Sequence, residues 1–457
     1  MSLGKEKTRN SFRDLVAKSK FFMKRGFYTI MSAQFFSSLA DNALFVTAVE
    51  LLKTDGAPEW QRAALVPMFA LFYVILAPFV GAFADSRPKG EVMLLSNTIK
   101  VFGCLLMLFG VHPLIAYAVV GLGAAAYSPA KYGILTELLP ASQLVKANGW
   151  IEGLTITSII LGVLLGGQLV GTSLSACLLA FDMPFINTGI DTPVEAAISC
   201  LVVLYALAAW FNTRIPYTGA ALMPMRSDPN KSMVRNLLHL LPDFWHCNQR
   251  LWHDKLGQIS LSTTTLFWGV SGNLRYIVLA WSAVALGYGT TQASSLVGVV
   301  AIGTATGAIA ASLKMRLEHA TRVIPLGILM GIFVVAMNFI TSLQIAIPFL
   351  IVLGALGGFM VVPMNALLQH RGHNLMGAGR SIAVQNLNEQ VCILVLGGLY
   401  TLCTSWGMSA YGAITGFGVL VAYTMWLIKL WHETNAVKHR AELDRLMNIA
   451  RHDELHG

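Results

Sequence analysis

The chain reads as an all-α membrane protein with twelve transmembrane helices arranged as two six-helix bundles. Three observations lead there: a composition too apolar for a water-soluble domain, twelve apolar runs of spanning length, and a repeat that lays the second half of the chain on the first. Of the 457 residues, 55% are hydrophobic and only 12% are charged, against roughly 25% charged in soluble domains. The 41 glycines suit helices that pack closely in lipid, where small residues let backbones approach. The net charge of +9 does not indicate a nucleic-acid binder, because the basic residues lie between apolar runs and not on one basic domain. Six cysteines form no Cys-x-x-Cys pair and most fall in or beside apolar runs. They are read as small packing residues, with no disulfide framework, metal site or cofactor.

A span needs roughly 20 mostly apolar residues. Runs of that kind lie at 27–52, 63–84, 92–111, 113–138, 147–172, 194–212, 257–286, 293–313, 322–341, 345–368, 376–403 and 408–431. Residues 1–26 are a basic tail without the apolar core of a signal peptide. The division is then an N-terminal bundle at 27–212, a polar linker at 213–256, a C-terminal bundle at 257–431 and a tail at 432–457. The linker carries Pro216, Pro224, Pro229, Pro242, Trp245 and Trp252 and is expected to include an amphipathic piece on the membrane surface. The stretch His432–Arg451 is expected to form a surface helix. Lys and Arg crowd the first tail, the linker, the segment between the eighth and ninth spans and the last tail. The alternate loops hold only Lys53 and Arg62, and the long loop at 173–193 holds none. By the positive-inside rule both termini and the linker are expected to be cytoplasmic.

The repeat appears on a shift of 234 residues, the interval from Gly123 to Gly357. Gly123 and Pro129 of the fourth span then fall on Gly357 and Pro363 of the tenth, and Lys131 falls on Asn365. The same shift lays Ser37 on Ser271 and Asp41 on Arg275. A parallel repeat of six spans implies a pseudo-two-fold axis along the membrane normal, with substrate near the midplane between the halves.

Ionisable groups within spans are costly, so each implies a partner or a wet cavity. Asp41, with Asn42 beside it, follows Gln34, Ser37 and Ser38 on one helical face. Arg275 lies deep in the seventh span. Glu389 lies near the middle of the eleventh, after Ser381 and Gln385 at steps of four. Lys131 sits two residues after Pro129. Asp41 and Arg275 either pair to hold the halves together or line and gate the cavity; one pair bridging moving halves can do both. Lys100 is expected to snorkel toward the cytoplasm and stands outside the site. Glu152 lies close to an end of the fifth span and is ambiguous.

The turn after the second span, Gly81-Ala-Phe-Ala-Asp85-Ser-Arg87-Pro-Lys89-Gly90, resembles the Gly-x-x-x-Asp-x-x-x-Lys/Arg signature of the major facilitator family. The resemblance implies the major facilitator fold, and a conformational latch at Gly81, Asp85, Arg87 and Lys89. Longer blocks narrow it: Asp41-Asn-Ala-Leu44, Gly123-Ala-Ala-Ala-Tyr-Ser-Pro-Ala-Lys-Tyr-Gly-Ile-Leu135, Leu144-Val-Lys-Ala-Asn-Gly149, Leu266-Phe-Trp-Gly269, Val361-Val-Pro-Met-Asn-Ala-Leu-Leu-Gln369 and Gly377-Ala-Gly-Arg-Ser-Ile-Ala-Val-Gln-Asn386. Together they resemble the bacterial lysophospholipid transporters. That likeness implies a multi-pass, monomeric protein of the bacterial inner membrane. It would move lysophospholipids, chiefly lysophosphatidylethanolamine, to the inner leaflet by facilitated alternating access. It also implies a cytoplasmic-side acyltransferase as functional partner. On this reading Lys131 and Arg275 meet the phosphate, Asp41 and Glu389 meet the amine, and Asn42 and Gln385 line the same site.

Competing readings remain. A proton-coupled drug or metabolite antiporter would use Asp41 and Glu389 as proton carriers. A membrane receptor on the same scaffold would not transport at all. The spacing His439-x4-Asp444 matches that of glycerolipid acyltransferases. Only 13 residues follow Asp444 (457 minus 444), too few for a catalytic domain, so no enzyme is expected.

Overall fold

The computed structural model describes residues 3–57, 59–171, 192–223, 233–288 and 290–452, which fold into sixteen α-helices. The first, α1 (Leu3–Thr54), runs unbroken from the basic tail through the first expected span. The second span is split into α2 (Glu59–Ile75) and α3 (Ala77–Ser86), bent by 63°. Pro78 explains the break, because proline has no N–H to give and its ring clashes with the preceding turn. Then follow α4 (Lys89–Leu108), α5 (Pro113–Leu138), α6 (Ala141–Val170) and α7 (Pro193–Asn212). The loop expected at 173–193 lies almost wholly outside the described residues.

The linker contributes the short α8 (Met233–Leu238) and α9 (Leu240–His253). Leu240, Phe244, Cys247, Asn248 and Leu251 of α9 are buried. Their spacing puts them on one face, against α3, α10 and α14. The second set of spans is α10 (Gly257–Ala285), α11 (Thr290–Lys314), α12 (Ile324–Ala336, entered through a 3₁₀ turn at Leu317–Val323), α13 (Leu343–Met376), α14 (Ala378–Ser405) and α15 (Ala410–Lys438). The tail forms α16 (Arg440–His452).

Helices thus stand at all twelve expected spans. Ten are long and apolar enough to cross a membrane, and eleven if the bent pair α2–α3 counts as one, among the described residues. The exception is α10, 29 residues long but interrupted by Ser260, Ser262, Thr263, Thr264, Thr265, Ser271 and Asn273. Such a helix needs protein or water beside it for much of its length.

Each set of six repeats the same packing. In the first, α1 packs on α6 and α7, α4 on α5 and α7, and α2 on α5. In the second, α10 packs on α14 and α15, α12 on α13 and α15, and α11 on α13. The α11–α13 contact is close because Gly303 and Gly307 meet the backbone of Ile351 and Ala355, while Gly354 and Gly358 meet that of Val300 and Thr304. These are two Gly-x-x-x-Gly ridges face to face. The sets meet through α3–α14, α5–α14 and α6–α11.

One apolar core joins the sets at the end of the bundle where α3 passes into α4. It includes Ile30, Ala84, Ile134 and Leu144 of the first set with Ile259, Val361 and Leu367 of the second. At the opposite end of the first set, Leu44, Leu52, Tyr117 and Leu201 belong to a separate cluster that contains no residue of the second set. Among the described residues, the apolar core shared by the halves therefore lies at one end of the first set.

Candidate functional site

Three polar groups lie within the bundle where its interior should be apolar. The first is built on α1, α4 and α7. Asp41 is held by Lys100, with Nζ 2.7 Å from Oδ2, and accepts from the Tyr205 hydroxyl at 2.7 Å. Lys100 also donates to Ser37 Oγ at 3.0 Å, and Ser37 donates to Asn97 at 2.8 Å. The ammonium lies 5.1 Å from the centre of the Tyr127 ring and 5.6 Å from that of Tyr205. Lys100 is only 1% exposed, so it does not snorkel to the surface. A carboxylate, a hydroxyl and two aromatic faces compensate its charge inside the bundle. Asn42 turns back to donate to the Ser38 carbonyl at 2.8 Å.

The second group sits on α5 and α6. Lys131 is buried, with Nζ 3.9 Å from the centre of the Tyr132 ring. Tyr132 donates through its hydroxyl to Glu152 at 3.1 Å. Glu152 is buried well inside α6, which settles its place: it faces the interior and not the membrane surface. Glu152, Lys100, Asp41 and Glu389 all lie close enough to act on the Lys131 charge. None of them comes within ion-pair distance of it, and among the described residues Lys131 has no salt bridge.

The third group is on α13 and α14. Gln385 donates to Glu389 at 2.7 Å and to Asn365 at 3.0 Å. One turn away, Asn386 reaches across the halves to Ser128 of α5 at 2.9 Å. Gly133 of α5 lies against Ala378 and Ser128 against Asn386, so α5 and α14 run antiparallel, and Lys131 and Glu389 lie on either side of the Ser128–Asn386 contact along the bundle. Glu389 is buried with no ion pair among the described residues. Position 275 lies on α10, but the Arg275 side chain falls outside the described residues. Of the expected Asp41–Arg275 pair, the structure describes only Asp41, whose partners are in its own half.

The latch turn brings Asp85 and Lys89 together at 2.9 Å, both buried. Lys89 also reaches Glu137 at 3.2 Å and the Ala84 carbonyl at 2.6 Å. Asp85 accepts from the backbone N–H groups of Gly379 at 2.6 Å and Arg380 at 2.9 Å. These are orphan donors at the start of α14, where a carboxylate is favoured by the helix dipole. Gly377, at φ +94°, makes the turn that presents them. Gly81 is required by closeness, since a Cβ there would lie 2.8 Å from that of Ala383. Arg87 is exposed, with its guanidinium 5.7 Å from the centre of the Phe83 ring.

Sequence reasoning missed most of what surrounds this turn. The linker is tied to it: Thr218 donates to Glu137 at 2.7 Å, Met223 N–H to the Asp85 carbonyl at 2.9 Å, and Arg380 pairs with Asp243 of α9 at 3.3 Å. Trp252 donates to Asn388 at 3.3 Å, and Asn388 to Asn248 at 3.0 Å. Asn148 and Gln369 exchange two amide hydrogen bonds of 2.9 Å across the halves. The only signal for these contacts was that Asn148 and Gln369 each lie at or next to the end of a distinctive block.

Residues 30–393 match the sequence profile of the Major Facilitator Superfamily. The chain is 40% identical over 408 residues to a lysophospholipid transporter, LplT, of Klebsiella pneumoniae subsp. pneumoniae, covering 89% of this chain and 96% of that protein. It is 39% identical over 393 residues to the protein of the same name in Yersinia pestis, covering 86% and 90%. Among solved structures it resembles the human organic anion transporter MFSD10 (TM-score 0.68, 14% identity, 88% of this chain and 99% of that one). It also resembles the Escherichia coli fucose:proton symporter FucP (TM-score 0.66, 10% identity, 89% and 98%). Likeness at such low identity speaks for the fold alone.

Proposed function

The chain belongs to the major facilitator superfamily and, within it, to the lysophospholipid transporters, and on that premise we propose that it carries lysophosphatidylethanolamine from the outer to the inner leaflet of a bacterial inner membrane. The observation that supports this most is the state of Lys131. A buried ammonium with no ion pair among the described residues, within reach of the charge of a buried Glu389 with none either, is an arrangement that a zwitterionic head group completes. Phosphate would meet Lys131 and the ligand ammonium would meet Glu389, so each buried charge gains a counter-charge. A simple anion would bring no counter-charge to Glu389.

In this reading Asp41 and Lys100 brace the cavity wall, and Arg275 is a second phosphate contact. The Asp85–Lys89 turn locks the halves at the cytoplasmic end, leaving the site reachable from outside. Both termini are cytoplasmic, the protein works as a monomer, and a cytoplasmic-side acyltransferase consumes the delivered lysolipid. Because re-acylation removes the product, the lysolipid gradient suffices to drive flux. Labelled lysophosphatidylethanolamine should therefore enter spheroplasts at an unchanged rate when a protonophore collapses the proton gradient.

The buried Glu389 also favours a second reading, proton-coupled exchange of a drug or metabolite, with Glu389 as carrier. Loss of uptake on adding protonophore would establish that reading and displace the first.

A further inference from the structure

We propose that the cleft between α1 at Gly26 and Thr29 and the C-terminal end of α7 binds the head group of an anionic bilayer phospholipid, with Arg214 as its phosphate ligand. The cleft has a volume of about 510 Å³ and is lined by Gly26, Thr29, Trp210, Phe211, Thr213, Arg214 and Pro216. It shares no residue with the three polar groups of the central site. Its size falls in the range of small-molecule sites, roughly 300–1,000 Å³.

The chemistry of the lining selects the ligand. It holds one cation, two hydroxyls, two aromatic rings and no acid. Arg214 is exposed, with its guanidinium 4.2 Å from the centre of the Trp210 ring. Stacked in this way it keeps its N–H edge for a planar or tetrahedral anion. Among the described residues no carboxylate pairs with it. A zwitterionic lipid would bring an ammonium that finds no counter-charge here, unlike the central site, where both signs are present. A lipid with net negative charge leaves nothing unpaired.

The surroundings suit a lipid rather than a soluble anion. Tyr28 and Trp210 are both exposed at this end of the bundle, as aromatic residues are at the boundary of the hydrocarbon. Phe211 stacks on Phe36 with ring centres 5.7 Å apart, and Val203 is exposed two turns along α7. Together they extend an apolar path from the cleft along the outside of the bundle. Lys24 and Arg25 precede Gly26 in the basic stretch of the sequence, and basic stretches of this kind concentrate anionic lipid. The site also adjoins the latch: Ile215, next to Arg214, packs against Gly90 of the latch turn.

The test is native mass spectrometry of the full-length protein, released from mild detergent after incubation with equimolar phosphatidylglycerol and phosphatidylethanolamine of identical acyl chains. Wild type should retain phosphatidylglycerol at least fivefold over phosphatidylethanolamine. Arg214→Ala should bring that ratio to near one, and Arg214→Lys should keep part of it. Arg214 is exposed, so both variants should elute as monodisperse protein. A ratio near one in wild type, or an Arg214→Ala ratio equal to wild type, overturns the proposal. Lysophosphatidylethanolamine is not a probe here, so the result stands apart from that of the uptake experiment.

Discussion

Lys100 and Lys131 are both buried ammonium groups, and they differ in their partners. Lys100 has its carboxylate, Asp41, at 2.7 Å. Lys131 has an aromatic face and no ion pair among the described residues. Removing Lys100 strands a buried carboxylate, which typically costs roughly 3–5 kcal/mol. Lys100→Ala should therefore lower the unfolding temperature in detergent more than Asp41→Ala/Lys100→Ala does, since the double variant leaves no stranded charge. Equal loss in both would show that Asp41 is compensated elsewhere. Lys131→Met, in contrast, should leave thermal stability near wild type while reducing lysolipid uptake. Losing one partner of a buried charge contact costs roughly 2–5 kcal/mol, about 30- to 5,000-fold. None of this pairing was legible in the sequence. Asp41 and Lys100 are 59 residues apart on different helices, and the position of Lys100 in its own span fits a snorkelling lysine equally well.

At the scale of elements, the latch turn was readable because its spacing is local: Asp85 and Lys89 are one turn apart and must face the same way. What Asp85 grips was not readable, because its donors are backbone N–H groups that carry no side-chain signature. The same holds for α13, expected to end near residue 368 but helical to Met376. Its extra turns are polar, with Gln369, His370 and Arg371, and they are buried at the joined end of the bundle rather than in lipid. Replacing Asp85 by Asn keeps the shape but removes the charge that favours the α14 N-terminus. Ser128→Cys, buried between α5 and α14, should react slowly with a thiol reagent in the wild-type background and several-fold faster with Asp85→Asn. An unchanged rate would mean that the amide pair Asn148–Gln369 and the linker helix hold the halves without it.

For the whole molecule, apolar run length and the repeat sufficed to place twelve helices, because lipid leaves a chain few options besides closed helices. The exception in hydropathy is α10, whose Ser and Thr residues lower its hydropathy below that of the other spans. The direction of insertion rests on the distribution of Lys and Arg. Asn187→Cys, in the loop without Lys or Arg, should be labelled by an impermeant thiol reagent added to intact cells; labelling only after permeabilisation would reverse the orientation. The central claim is that unpaired buried charges of both signs within the bundle read a zwitterionic single-chain lipid. Its most direct measurement is transport by the purified protein in liposomes without an ion gradient, offered lysophosphatidylethanolamine, its diacyl counterpart or lysophosphatidic acid in turn. Lysophosphatidylethanolamine should cross several-fold faster than either of the others, and Lys131→Met should abolish the difference. Equal rates for the mono- and diacyl lipids, or an undiminished preference in Lys131→Met, would contradict it.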